Sequence, residues 1–117
     1  MKSKSFTLLL LLVFSLFSAG QVQGSEKYTE NVQAADRQLL LENYGEAADL
    51  YNQAKSYATN VNEKSYIHYR LGSIYMRLND KIKAQQEWRD GLDLLEREGV
   101  HSGIEFHLKQ ALLNNGL

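Results

Sequence analysis

Apolar residues recur at steps of three and four over most of this chain, the spacing of helices with one buried face. The clearest stripe is Ile67, Leu71, Ile74, Tyr75 and Leu78, which predicts a helix over about Glu63 to Leu78. Gly72 lies within it, where the missing side chain lets a neighbouring helix come close at a propensity cost of about 1 kcal/mol. Asn79-Asp80 interrupts the pattern, and Asp80 suits the N-cap of a helix over about Lys81 to Arg97 that buries Ala84, Trp88, Gly91, Leu92 and Leu95. Gly99 is placed to end that helix in the left-handed conformation. Asn43 with Glu46 resembles a capping box for a helix over about Tyr44 to Ala58, whose inner face is Ala47, Tyr51, Ala54 and Ala58. Thr59 to Asn62 reads as a polar link. Upstream, the narrower stripe Val32, Ala35 and Leu39 predicts a helix over about Lys27 to Leu41. Ser102 with Glu105 forms a second capping box, opening a last helix to about Asn114 that carries Ile104, Leu108, Ala111 and Leu112 and stops at Gly116. With no proline and no sustained strand-type alternation, the expected fold class is all-α.

One segment also repeats. Tyr44, Ala47, Tyr51 and Ala54 are matched 37 positions later by Lys81, Ala84, Trp88 and Gly91, and periods of this size point to stacked helix pairs. The second copy resembles a tetratricopeptide (TPR) repeat through Leu71-Gly72, Tyr75, Ala84, Trp88 and Gly91-Leu92. His68 stands where that family often has Trp, and Asn79 and Lys81 replace its turn Gly and the following aromatic. In the first copy Ala34-Ala35 replaces Leu-Gly and Gln38 replaces the aromatic, and neither copy closes with the family's proline. The resemblance implies a short helical-repeat array of two antiparallel hairpins, over about residues 28–61 and 65–98, with a C-terminal capping helix over about 102–114. Arrays of this kind need three or more units for a continuous core, so two and a half predict marginal stability or self-association.

The ends and the charge refine this. Lys2 and Lys4 precede an apolar run from Phe6 to Phe17, followed by small and polar residues to Gly24, the layout of a secretory signal peptide. Cleavage fits after Gly20 or after Gly24, and the polar Ser25-Glu26-Lys27 favours the second. The remaining 93 residues, enough for one domain, carry 11 Lys and Arg against 14 Asp and Glu. That mixed, weakly acidic balance argues against nucleic acid or an anionic membrane as partner. Absence of cysteine excludes a lipid-attached lipoprotein, a thiol nucleophile and a zinc cluster, and with no Asn-x-Ser/Thr acceptor it favours a bacterial periplasm. An uncleaved inner-membrane anchor is the alternative.

Candidate chemistry is sparse. His68, His101 and His107 are never three or four apart, no Gly-rich phosphate loop or Gly-x-Ser-x-Gly elbow is present, and Arg89 and Arg97 interleave the acidic run Asp90, Asp93, Glu96 and Glu98. No enzyme activity, cofactor or metal is expected. His68 is expected between helices, His101 and His107 at the surface, and Tyr44, Tyr51, Tyr57 and Trp88 in the core. One face does collect interface residues: Tyr66, Tyr69, Arg70, Ser73, Met76 and Arg77 share a stripe well over 100° from Leu71 and Tyr75. In TPR proteins the first helix of each pair lines a concave groove, and the repeat register would add Thr29, Val32, Gln33, Asp36, Leu39 and Leu40. Val32 and Asp36 are the wrong chemistry for the Lys/Asn grip by which some members hold a terminal carboxylate. The expected function is therefore a non-catalytic adaptor binding another protein's peptide or helix. Two alternatives remain open at this point: packing of the tyrosines against the preceding pair, and a self-associating envelope subunit built on the first repeat.

Overall fold

Two of the helices begin with a side-chain cap that the residues themselves specify, Asn60 and Asp80. The computed structural model describes residues 25–116, and the expected signal segment, residues 1–24, lies outside them. Among the described residues every regular element is helical: α1 (residues 25–40), α2 (Tyr44–Ser56), α3 (Val61–Arg77), α4 (Lys81–Glu98) and α5 (Gly103–Asn114). Asp80 caps α4 as expected, its carboxylate accepting from Lys83 N at 3.1 Å. The two expected capping boxes do not form. Asn43 turns its side-chain amide back to Gln38 at 2.8 Å, and Ser102 makes no side-chain cap. Glu105 instead accepts from Lys109 at 2.8 Å and meets His101 at 3.0 Å, and those two hydrogen bonds hold its carboxyl below the usual range. Helix α3 starts two residues before its expected first residue and is capped by Asn60. Glu63 N donates to Asn60 Oδ1 at 2.9 Å while Glu63 Oε1 accepts from Asn60 Nδ2 at 2.9 Å and Thr59 Oγ1 at 2.7 Å.

The helix exits repeat with the period of the sequence. Glu42 and Asn79 both sit at φ 61°, and Gly116 at φ 91° continues the series at the same spacing. At the first two, the following amide reaches back over the last turn, from Asn43 N to Gln38 O at 2.9 Å and from Asp80 N to Tyr75 O at 2.8 Å. Gly99, at φ 64°, ends α4 in the same way, with Val100 N bonded to Leu95 O at 2.9 Å. A carboxylate side chain gains nothing from the left-handed conformation at the exposed Glu42, whereas glycine adopts it freely. Glu42→Gly is expected to stabilise the protein by about 1 kcal/mol, raising Tm by roughly 4–8 °C in thermal unfolding.

Successive helices run antiparallel. From Ser65 to His68 along α3 the partner on α4 falls from Gly91 to Glu87, through Ser65 Oγ to Gly91 O at 3.0 Å and His68 Nδ1 to Glu87 Oε2 at 2.7 Å. Alternate helices run parallel: Tyr28 Oη donates to Glu63 O at 3.4 Å and Asp36 meets Arg70 at 3.6 Å, so both partners advance together. Two apolar clusters result. Ala35, Ala47, Tyr51, Ala54, Ile67, Leu71 and Ile74 fill the first, between α1, α2 and α3. Ala84, Trp88, Leu95, Leu108 and Leu112 fill the second, between α3, α4 and α5, so α5 covers the open side of the second pair. Tyr57, expected in the core, is instead partly exposed at the C-cap of α2, where Lys27 Nζ lies 5.4 Å from its ring centre. The chain turns there, one residue beyond Ser56, so the inner stripe ends at Ala54.

Candidate functional site

The face read from the sequence as a binding stripe is divided by the fold into two contacts and one open lip. Tyr66 packs against the first cluster, while Tyr69 and Met76 pack against the second. Tyr69 faces the α5 side chain His107, with ring centres 5.7 Å apart, and its carbonyl accepts from Trp88 Nε1 at 3.1 Å. Packing therefore takes up much of Tyr66, Tyr69 and Met76. The expectation that Tyr66 lies under the preceding pair agrees with the structure, and Tyr69 serves the following one. Ser73 donates to Tyr69 O at 3.1 Å, one turn back on its own helix. Arg77 is exposed near the end of α3.

What remains open centres on Arg70. Its Nε donates to Tyr66 Oη at 2.9 Å, its guanidinium stands 5.5 Å from the Tyr66 ring centre, and Nη2 approaches Asp36 Oδ1 at 3.6 Å. The same Asp36 oxygen accepts the hydroxyl of Tyr51, which is wholly buried. Asp36 thus links a fixed core tyrosine to a surface arginine across the seam between α1 and α3. Beside this link, Asp36, Leu39, Leu40 and Arg70 line a shallow depression of about 290 Å³. Leu40 forms its rim and is 85 % exposed. Thr29 and Gln33 are exposed farther along α1, and Val32 is half-buried against the first cluster.

Buried phenols give this region a pH signature. Burial pushes the Tyr28 hydroxyl up to about 12, aided by the negative charge of Glu63. Burial and the hydrogen bond to Asp36 push Tyr51 up further. In the unfolded chain both ionise near 10, so the unfolded state releases protons that the folded state keeps. Their contribution to stability is complete below pH 10 and is lost as pH rises through the folded values. An ultraviolet titration of the seven tyrosines is expected to show two that ionise only above pH 11, together with loss of helical circular dichroism.

Elsewhere, His68 and Glu87 form a half-buried pair, and Asp90, Asp93, Leu94 and Arg97 edge a second depression of about 220 Å³ beside them. The acidic run itself is solvated. Among the described residues no three His, Asp or Glu side chains converge on a metal position, and no helix is long and apolar enough to cross a membrane. Leu78, expected at the end of the buried α3 stripe, is 48 % exposed because it lies at the C-cap beyond the last helical turn, and the exposed apolar residues that the sequence reading left unused are Leu41, Ile82, Phe106 and Leu113. Compared with known protein families, with curated proteins and with solved structures, the chain matches none.

Proposed function

We propose that this chain is a small exported, non-catalytic docking module, similar to TPR proteins, that holds a segment of another protein along the α1–α3 face in the periplasm. The observation that carries the reading is the lip formed by Asp36, Leu39, Leu40 and Arg70: a surface hollow with an aliphatic rim, beside a guanidinium steadied by Tyr66. An apolar side chain of the partner would cover Leu40, and its carbonyl or carboxylate oxygens would take the open edge of Arg70 and the free Arg77 head. Tyr66 supports this lip by holding Arg70, while Tyr69 and Met76 pack toward α5. Export would remove residues 1–24.

The test is capture of the partner from a periplasmic extract by the tagged protein, with Leu40→Glu and Arg70→Ala as variants. Each is expected to reduce capture at least roughly tenfold while thermal unfolding shifts by about 1 kcal/mol or less, because Leu40 is exposed and Arg70, about one-third exposed, meets Asp36 at the surface. Capture equal to that of the parent chain by both variants would refute the docking face.

A further inference from the structure

Exposed aliphatic side chains gather at one end of the molecule. Helices α1 and α3 run parallel, so Leu41, just past α1, and Leu78, at the C-cap of α3, lie at the same end. Ile82 follows the turn at Asn79 and Asp80, in the first turn of α4, and is 82 % exposed. The last turn of α5 brings Leu113 to this end as well. Gln85 Nε2 donates to Asn115 O at 3.0 Å, and Lys81 Nζ lies 3.0 Å from where a Cβ on Gly116 would stand.

The charges here break a local rule. A helix N-terminus carries partial positive charge and favours acidic residues in its first turn. Helices α2, α3 and α5 comply with Glu46, Glu63 and Glu105, whereas α4 opens on Lys81-Ile82-Lys83 with no acid in its first turn. Lys81, Lys83 and the nearby Arg77 are exposed and pair with no carboxylate among the described residues. Beyond the contact of Lys83 with the Tyr75 ring, 4.5 Å from its centre, nothing described offsets this placement, and a rule broken without internal gain marks a functional surface. At this end Arg37, Arg77, Lys81 and Lys83 stand against Glu42, Glu46 and the capping Asp80. At the other end acids outnumber cations, with Glu26 and Glu30 opening α1 and Glu96 and Glu98 closing α4. The weakly acidic total of the chain conceals this polarity.

We infer that the Lys81-Ile82-Lys83 end docks on an anionic lipid bilayer. Leu41, Leu78, Ile82 and Leu113 enter the interfacial layer, Arg77, Lys81 and Lys83 meet lipid phosphates, and the acidic end points away. Charge complementarity sets this orientation, since an anionic surface attracts one end and repels the other. The aliphatic tips come from separate turns, and neither depression described above includes them. A fluid interface takes up such tips, where a folded partner would have to match each one.

Flotation of the purified protein with phosphatidylcholine vesicles containing about one-third phosphatidylglycerol is expected to show binding, weakened at least roughly tenfold in phosphatidylcholine alone or at about 0.5 M salt. Ile82→Asp is expected to weaken it at least roughly tenfold without lowering Tm, because an acid suits the first turn of α4. The chain has no cysteine, so a single dye-labelled cysteine reads the orientation. An environment-sensitive dye on Ile82→Cys is expected to shift to the blue on anionic vesicles, and one on Glu98→Cys, about 24 Å along α4, is not. No binding to anionic vesicles, binding that Ile82→Asp leaves intact, or an equal shift at positions 82 and 98 would overturn the inference. Capture of a soluble protein through this end without vesicle binding would assign the surface to a protein partner and overturn it too.

Discussion

Gly72→Ala is expected to lower stability by about 3 kcal/mol, one of the largest effects of a single methyl group in this protein. A Cβ built on Gly72 would lie 2.6 Å from Trp88 Cε2 and closer still to Nε1 and Cδ1. The indole cannot swing aside, because Trp88 is only 2 % exposed and its Nε1 is fixed to Tyr69 O. Either the two helices separate, which loosens the broad α3–α4 interface, or the ring leaves its hydrogen bond and its place in the second cluster. Overpacking costs about 1–3 kcal/mol and a lost buried hydrogen bond about 1 kcal/mol more. For a domain of this size Tm should fall by roughly 12–24 °C. Trp88→Phe in the Gly72→Ala background tests the mechanism, since the narrower ring should recover part of the loss. No recovery would mean that the methyl group acts elsewhere.

Removing residues 101–117 should be more damaging. Leu108 and Leu112 belong to the second cluster itself, and Ile104 and Ala111 pack on it. Without α5, Ala84, Trp88 and Leu95 lose one wall, and Leu108 no longer fills the notch at Gly91, where it lies 3.3 Å from the site of a Cβ. The two buried leucines alone are worth about 3–6 kcal/mol, comparable to the whole stability of a small domain at about 5–10 kcal/mol. The shortened chain is expected to lose its cooperative unfolding transition, or to melt more than roughly 15 °C lower. Unchanged melting would refute the covering role of α5.

Two devices could be recognised before folding only in part. The pattern Asn60-x-x-Glu63 resembles a capping box as plainly as Ser102-x-x-Glu105, yet only Asn60 caps its helix, accepting from Glu63 N. The difference is competition: Glu105 has Lys109 one turn along its helix and His101 just before the helix within reach, and each offers it a charged or polar hydrogen bond. Asn43 fails in the same way, because Gln38 is nearby across the turn. The period of 37 was visible in Ala47, Tyr51, Ala84 and Trp88, and the recurring exits at Glu42 and Asn79 follow it in the backbone, although neither residue is a glycine. The candidate lip was half legible. Asp36, Leu39, Leu40 and Arg70 were all on the expected face, but so were Tyr66, Tyr69 and Met76, which packing largely claims.

By itself the chain determined its helices, their inward faces and the close approach at Gly72, because these depend on residue spacing, propensity and side-chain size within one or two turns. Tertiary structure decided which polar and aromatic stripes stay open. A stripe on α3 looks the same in sequence whether α1 and α5 lie beside it or not, and only their placement assigns Tyr66 and Tyr69 to packing and leaves Leu40, Phe106 and Leu113 exposed among the described residues.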